Sequence, residues 1–125
     1  MARDVTAESD AGKRQAQISY IDFERVDIRA GRIIKAELFS KARKPAYKLW
    51  LDFGELGIKQ SSAQITRRYI CADLIGRTVL AIINFPPKQV ADFLSEVLVL
   101  GIMAGEGDVV LIAPDCDVPL GSRVL

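Results

Sequence analysis

The chain has 125 residues, half of them hydrophobic, and a formal net charge of +1 at pH 7. This length and composition predict one soluble globular domain. The longest apolar run, Val79–Ile83, is far shorter than the roughly 20 residues of a membrane-spanning helix. Because Met1–Val5 also lacks the apolar core of a signal peptide, we expect a cytoplasmic protein.

The N-terminal part of the chain predicts a tail followed by a helical turn. Residues 1–17 are polar and without periodicity, so we expect a flexible tail ahead of a folded domain at 18–125. Ile18–Arg25 is typical of a short helical turn, in which Ser19 or Asp22 serves as the cap.

Three strands are predicted next. Val26–Ala30 alternates apolar and charged residues, and Gly31 is placed for a bulge that curls the strand. In the second strand Tyr47, Leu49, Leu51 and Phe53 share one face, which leaves Lys48, Trp50 and Asp52 on the other. After a glycine-containing turn, a more polar third strand covers residues 58–65.

A helix is predicted from Thr66, its cap, to Ile75, with Gly76 as its terminator. Its apolar residues Ile70, Leu74 and Ile75 are expected to seal the bottom of a barrel.

Two more strands complete the pattern. Arg77–Phe85 is nearly continuously apolar, as in a strand buried on both faces, and Pro86-Pro87 ends it. Residues 96–102 and 108–113 predict a hairpin through Gly105–Gly107. By itself this spacing predicts a small all-β barrel with one helix between strands three and four. The element order is that of a five-stranded oligonucleotide/oligosaccharide-binding (OB) Greek-key barrel with small α content, which is the fold we expect.

Several chemistries lack their usual residues. The chain has no histidine, the commonest general base and metal ligand, and no glycine-rich phosphate loop. Two cysteines, Cys71 and Cys116, are too few for the usual four-ligand metal site. They are able to form one disulfide, but we favour two buried thiols. We expect a protein that is not an enzyme and needs no cofactor or metal.

Charge is distributed unevenly. Residues 29–48 carry seven cations and one anion, whereas residues 92–117 carry six anions and no cation. Either the two segments pair across a sheet, or the basic segment forms a patch for an anionic partner. Within the basic segment, Lys41–Trp50 combines four cations with a tyrosine and the single tryptophan. Such a combination suits phosphates and stacked bases, and it also suits unfolded peptides.

Five segments together resemble a family of bacterial export chaperones and, beyond it, the wider tRNA-binding domain family. They are Val26–Gly31, Arg43–Trp50, Ser61–Ile65, Asn84–Pro87 and Ser95–Leu100. The resemblance covers residues 18–125. It implies a homodimer of OB barrels, each with a pocket on its exposed face, that binds unfolded or presecretory polypeptide or tRNA.

The resemblance also implies site residues. We assign peptide binding to Tyr47, Trp50, Asn84, Phe85, Pro86, Pro87, Ser95 and Glu96. We assign RNA binding to Arg43, Lys44, Lys48 and Ser95. Phe85 is alternatively a residue packed inward at the end of a core strand, and Ser95-Glu96 is alternatively a cap at the start of a strand.

Departures from the family pattern favour a peptide over RNA. The tRNA-binding relatives typically have Ala-Asp-Lys-Leu at Ala46–Leu49 and Ser-Glu-Gly-Met at Ser95–Leu98. They have leucine and lysine-containing residues where Asn84 here precedes Phe85-Pro86-Pro87. Since apolar character rises and basic character falls, we expect an ATP-independent chaperone for export. The alternative is a tRNA-binding protein that uses the basic face of the same fold.

Overall fold

The longest strand organises the sheet. In the computed structural model, which describes residues 12–125, strand β1 spans Ile28–Leu38 and pairs antiparallel with two neighbours. Its first half aligns with β4 (Thr78–Ile82) and its second half with β2 (Tyr47–Asp52). A shift of register between Ile33 and Lys35 marks the β-bulge that bends the strand from one partner to the other.

Gly31 does not form the predicted bulge, which lies two to four residues later. Gly31 instead pairs in regular register with Val79 on β4. A Cβ atom at this position would lie 2.5 Å from Cε1 of Phe53, so the glycine allows the ring to pack against the strand. The first strand is also longer than predicted, since it continues through Gly31 to Leu38.

The remaining elements are short. They are α1 (Tyr20–Glu24), a 3-10 turn (Gly54–Leu56), β3 (Ile58–Ala63), α2 (Cys71–Leu74), β5 (Lys88–Val90), β6 (Phe93–Ser95), β7 (Leu98–Val99), β8 (Gly101–Gly105) and β9 (Asp108–Leu111). The main sheet has five antiparallel strands in the order β3–β2–β1–β4–β7. The pairs β5–β6 and β8–β9 form separate two-stranded sheets.

The inner face of β2 supplies much of the core, as its alternation predicts. Tyr47, Leu49 and Leu51 are buried, and Phe53 directly after the strand is fully buried. The intervening residues of β2, among them Lys48 and Trp50, are half-buried on the outer face. Burial of this apolar row is the main source of the barrel's stability.

The sheet closes nearly into a barrel along the outer edge of β3. The backbone N–H of Glu96 donates to the carbonyl of Gln60 over 2.8 Å, and the Gln60 amide Nε2 donates to the Leu94 carbonyl over 2.8 Å. A nearly closed five-stranded antiparallel barrel with small helices confirms the predicted OB fold.

The first helix has the predicted cap. The Asp22 N–H donates to Ser19 Oγ over 3.3 Å, and the Ser19 N–H donates to Asp22 Oδ2 over 3.2 Å. This reciprocal capping box satisfies two backbone donors that a five-residue helix would otherwise leave free.

The predicted helix over 66–75 is wrong in length and in cap. Helix α2 covers Cys71–Leu74, and no side chain caps it. Tertiary contacts hold the preceding residues: Arg67 donates to the Glu106 carbonyl, and Arg68 pairs with Asp108. Leu74 is fully buried beneath the barrel, and Gly76 with φ of 89° follows the helix. The other two predicted sealing residues are exposed, Ile70 by 60% and Ile75 by 49%.

The C-terminal strands are more broken than predicted. Strand β4 ends at Ile82 rather than Phe85, and the predicted strand over 96–102 is divided between β7 and β8. The hairpin between β8 and β9 is confirmed, with Glu106-Gly107 in its turn. The small β5–β6 sheet was not predicted, and its turn places Ala91 at a positive φ of 50°.

Other expectations have mixed outcomes. Cys71 is half-buried as a free thiol, but the expectation of a buried Cys116 is wrong, since this free thiol is exposed.

The predicted tail falls partly outside the described residues, and residues 12–17 are exposed and form neither helix nor strand. Within 12–125, no helix is long and apolar enough to cross a membrane, and no group of three or more Cys, Asp or Glu side chains is arranged to hold a metal ion.

Candidate ligand-binding face

OB folds bind their ligands across the face of strands two and three, between the loop that joins strands one and two and the loop that follows strand four. In this chain the region comprises the outer face of β2 and β3, the loop Phe39–Ala46, and the segment Asn84–Glu96 that carries β5 and β6. We call it the loop face. It contains every predicted site residue except the inward-facing Tyr47.

Three aromatic rings join the two loops. Phe39 and Phe93 are buried and lie edge to face, with ring centroids 5.5 Å apart. Trp50 of β2 meets Phe93 edge to face at 5.9 Å. We call Phe39, Trp50 and Phe93 the aromatic cluster. With the buried Ala46 it forms a small core of its own, separate from the barrel interior.

Two lysines lie over these rings. Lys48 Nζ is 4.9 Å from the Phe39 centroid and 5.3 Å from the Phe93 centroid. Lys35 Nζ is 4.7 Å from the Trp50 centroid, and it pairs with Glu37 over 3.2 Å. Both lysines therefore already have favourable cation–π partners within the chain.

A salt bridge connects the loop Phe39–Ala46 to the turn of the β5–β6 sheet. Lys41 Nζ lies 2.8 Å from Asp92 Oδ2. The hydrogen bond to Asp92 raises the pKa of Lys41, and the same bond lowers the pKa of Asp92. Because both side chains are solvent-exposed, we expect the ion pair to orient the loop and to contribute little to the stability of the fold.

Among the described residues, this ion pair alone joins the basic segment 29–48 to the acidic segment 92–117. In the acidic segment, Asp108 pairs instead with Arg68, outside the basic one. Arg43 and Lys44 are exposed in the loop and form no ion pair with another described residue. They are the predicted RNA-binding cations that remain available to a ligand.

Ser95 and Glu96 line the seam that closes the barrel. Ser95 Oγ accepts from the N–H of Ser62 over 3.0 Å, and Glu96 Oε1 accepts from the N–H of Gln60 over 3.1 Å. Both side chains thus cover backbone donors on the edge of β3. These contacts give both residues a structural role as cover for the β3 edge, which differs from the alternative of a cap at the start of a strand.

Asn84 joins different elements. Its Oδ1 accepts from the N–H of Asp27 over 3.0 Å, and its Nδ2 donates to the Arg25 carbonyl over 2.7 Å. The side chain therefore fixes the connection between α1 and β1, and its hydrogen bonds are separate from those of Ser95 and Glu96. The following Phe85, Pro86 and Pro87 are exposed, so the inward-packed alternative for Phe85 is wrong.

Tyr47 lies inside the barrel. The ring is 8% exposed, and its hydroxyl donates to the Tyr69 carbonyl over 2.7 Å. Burial raises the pKa of the phenol. Since the side chain offers no surface to a ligand, we leave Tyr47 out of the proposed site.

The structure therefore brings some predicted residues together and adds others. Lys48 and Trp50 meet through Phe93, whereas Ser95 and Glu96 belong to the β3 seam. Sequence reasoning missed Phe39 and Phe93. Their apolar character marks them as candidates for burial, but no pattern distinguishes the aromatic cluster from the barrel core.

A separate cavity of about 300 Å³ lies at the other end of β4. Its lining includes the base of β4 and the segment after β9, with Tyr69, Arg77, Leu111 and Cys116 among the residues. The Arg77 guanidinium lies 5.2 Å from the Tyr69 ring centroid. None of the predicted site residues lines this cavity.

The fold and the loop face define an OB-type binding domain. Residues 28–123 match the family described as "Putative tRNA binding domain", and the chain belongs to this family. The methionine–tRNA ligase of Bdellovibrio bacteriovorus is 36% identical over 114 residues, which are 91% of this chain and 16% of that enzyme. The chain therefore spans about one-sixth of the length of the curated relatives that it matches.

Two solved structures are similar over their whole length. The crystal structure of chaperone CsaA from Bacillus anthracis is 53% identical with a TM-score of 0.85, and the match covers 88% of this chain and 100% of that one. The CsaA chaperone protein from Picrophilus torridus is 48% identical with a TM-score of 0.82, covering 87% of this chain and 100% of that one. The predicted family is thereby confirmed.

Proposed function

We propose that this protein is a cytoplasmic, ATP-independent chaperone that binds unfolded or presecretory polypeptides for export. The observation that carries this proposal is that three lysines of the loop face already have partners within the chain. Lys35 and Lys41 form ion pairs with Glu37 and Asp92, and Lys48 is held over two aromatic rings, so less of the positive charge is free to contact a phosphate backbone than the sequence suggests. Full-length similarity to two CsaA chaperones supports the same function.

The proposed client site uses the exposed part of the loop face. Trp50 is half-buried on β2, Leu94 is exposed directly after Phe93, which contacts Trp50, and Phe85, Pro86 and Pro87 are exposed in the segment between β4 and β5. Rigid rings and prolines bury a ligand's side chains at little cost in conformational entropy.

A second candidate function is tRNA binding, which the family match and the two free loop cations favour. The two functions differ in their response to salt. Binding through three or four phosphates weakens with log salt at a slope of about −2 to −3. Peptide binding through apolar contacts changes little with salt and shows a negative change in heat capacity.

The deciding experiment is a salt-titrated competition between bulk tRNA and an unfolded presecretory peptide. Trp50, the single tryptophan, serves as the fluorescent reporter. We expect peptide binding to persist at high salt and to resist displacement by tRNA. Tight tRNA binding that is lost steeply with salt, together with undetectable peptide binding, would refute the chaperone proposal.

Charge variants sharpen this experiment. For RNA binding, the Arg43→Ala/Lys44→Ala variant should lower the salt slope by about 1.5, since each lost phosphate contact contributes roughly 0.7 to 0.9. Lys13→Ala/Arg14→Ala removes the same charge from exposed residues outside the loop face and serves as the control. We expect neither variant to weaken the peptide complex more than about twofold.

We also propose that the chain forms a homodimer through α1. Ile18, just before α1, and Tyr20 and Ile21 within it are 70%, 72% and 67% exposed. Neighbouring large apolar side chains that are this exposed are typical of a protein–protein contact surface. Sedimentation of the Ile21→Glu variant tests this interface. We expect a monomer, while the matched Ile75→Glu variant on α2's flank should sediment like the unmodified chain.

A further inference from the structure

Strand β8 is exposed along most of its length and carries no charge. Its sequence is Gly-Ile-Met-Ala-Gly, and its first four residues are exposed. Ile102 is 58% exposed and Met103 is 42% exposed. Because successive side chains of a strand point to opposite faces, apolar surface is exposed on both faces of β8.

One edge of β8 is also open. The strand pairs with β9, and this two-stranded sheet has no third strand. At the base of the hairpin, Leu100 donates to the Leu80 carbonyl over 2.9 Å, and Leu80 donates to the Ile112 carbonyl over 3.2 Å. Within the described part of the chain, no further hydrogen bond joins residues 101–105 to anything other than β9.

The open edge belongs to β8 rather than to β9. Val109 and Leu111 of β9 are half-buried and pack against the barrel core, and the N–H of Leu111 donates to the Tyr69 hydroxyl over 3.0 Å. Strand β9 thus lies between the core and β8. The N–H and C=O groups of β8 that point away from β9 face solvent.

Two other edges of the molecule are protected. The edge of β3 is covered by Ser95 and Glu96, which occupy the N–H groups of Ser62 and Gln60. Strand β5 begins with Lys88 directly after two prolines, and lysine and proline both discourage strand pairing. By contrast β8 contains neither a charge nor a proline, so it is the exposed edge most suited to accept another strand.

We infer that β8 binds an extended, apolar polypeptide segment by strand addition. The client's backbone would form hydrogen bonds with the open edge, and its alternate side chains would contact Ile102 on one face and Met103 on the other. Backbone pairing is independent of client sequence, and methionine adapts to side chains of varied shape. The absence of charge on β8 favours an apolar occupant. This inference rests on the proposed chaperone function and adds β8 to the exposed part of the loop face as a second region that contacts the same client.

Backbone chemistry provides the most direct test. The probe is a synthetic peptide of alternating leucine and serine residues with a lysine at each end. Two analogues carry N-methyl groups on alternate backbone nitrogens, one in each phase. Strand addition requires the N–H groups of one phase, so at least one analogue should bind about tenfold more weakly while keeping every side chain. Equal binding of all three peptides would overturn the inference.

A charge on the edge gives an independent test. Ile102→Lys should weaken binding of the unmodified peptide about tenfold, because lysine protects the edge and removes the apolar contact. Ile58→Lys is the matched control, since Ile58 also lies on a strand and is 59% exposed. Hydrogen exchange should show slower exchange of the amides of 101–105 when peptide is added to the unmodified protein. Unchanged exchange there would contradict strand addition.

The outcomes separate this inference from the proposed function. Loss of all peptide binding by the unmodified protein refutes the chaperone proposal together with this mode. Peptide binding that N-methylation and Ile102→Lys leave intact refutes the β8 site alone. If Ile102→Lys instead converts a dimer into a monomer in sedimentation, the occupant of β8 is a second copy of the chain, and the inference is overturned.

Discussion

The loop face and the β8–β9 hairpin differ in how many of their polar, charged and apolar groups already have partners within the chain. On the loop face, Lys48 lies between two rings, Lys41 pairs with Asp92, and Ser95 covers the edge of β3. On the hairpin, Ile102 and Met103 are exposed, and the edge of β8 has no partner within residues 12–125. The region richest in charge and aromatic groups is thus the more self-contained of the two.

This contrast teaches that residue type is a poor guide to what a surface offers a ligand. A lysine or tryptophan attracts attention in a sequence, yet an intramolecular partner reduces its availability for binding. A short run of glycine, alanine and apolar residues is easily overlooked, yet its open backbone groups and uncovered side chains are free to contact another molecule. Four predictions test the contrast, and they follow in order of decreasing expected effect.

The largest effect is expected from Phe93→Ala in the aromatic cluster. Phe93 is buried and contacts both Phe39 and Trp50, so its loss should lower the free energy of unfolding by about 3 kcal/mol. Urea denaturation measures the change, and Trp50 emission should shift to the red. The control Phe85→Ala removes an exposed ring and should cost less than about 1 kcal/mol. Similar losses in both variants would mean that the cluster is not a core.

Tyr47→Phe tests the exclusion of Tyr47 from the site. The variant leaves the Tyr69 carbonyl without its donor in the barrel, which should cost about 1 to 2 kcal/mol of unfolding free energy. Peptide affinity should remain unchanged under conditions in which the protein is folded. Tyr20→Phe, at a tyrosine that is 72% exposed, is the control and should be neutral. Weaker peptide binding without loss of stability would return Tyr47 to the site.

Ser95→Ala tests the barrel seam. The half-buried N–H of Ser62 loses its acceptor, so we expect a loss of about 1 kcal/mol in urea denaturation. The exposed Ser40 provides a control through Ser40→Ala, which should have no measurable effect. Should Ser95→Ala reduce peptide affinity but not stability, Ser95 would be a ligand contact, as the family resemblance implies, rather than part of the closure.

The smallest effect is expected from the exposed ion pairs. Hydrogen bonds to Lys41 and Arg68 lower the pKa values of Asp92 and Asp108 below the ordinary 3.8. A lowered carboxyl pKa contributes stability that is present above the unfolded-state value and is lost as the pH falls through the folded-state value. Asp92→Asn and Asp108→Asn should therefore each be less stable than the unmodified protein at neutral pH, and the difference should vanish in strong acid.

Urea denaturation across this acidic range measures both differences. Glu55→Gln, at an exposed carboxyl with no ion pair to another described residue, is the control. In the hairpin, Asp108→Asn should also speed hydrogen exchange in β9, because the bidentate contact with Arg68 is lost. A difference that grows on acidification would contradict the assigned role of these pairs.

Most of the barrel could be predicted from the sequence because its signals are local. Alternation along Tyr47–Phe53 gave the inner face of β2, and Ser19 with Asp22 marked the start of α1. The predicted helix over 66–75 failed because Arg67 and Arg68 bond to the distant β8–β9 turn, which no local propensity encodes. For the candidate site, the sequence predicted the outward face of Trp50 and exposed loop cations, but not the contact of Lys48 with Phe39 and Phe93.

The sequence by itself determined the barrel fold, the family and the segments that carry the loop face, since periodicity, turn residues and short motifs are properties of neighbours along the chain. Only the tertiary structure decided which groups are free. Lys48 lies over the ring of Phe93, which is 45 residues later in the sequence, and Ser95 accepts a hydrogen bond from the N–H of Ser62, 33 residues earlier. Whether β8 is protected likewise depends on which strands lie beside it. Partners distant in sequence are set by packing, and packing determines what remains for a ligand.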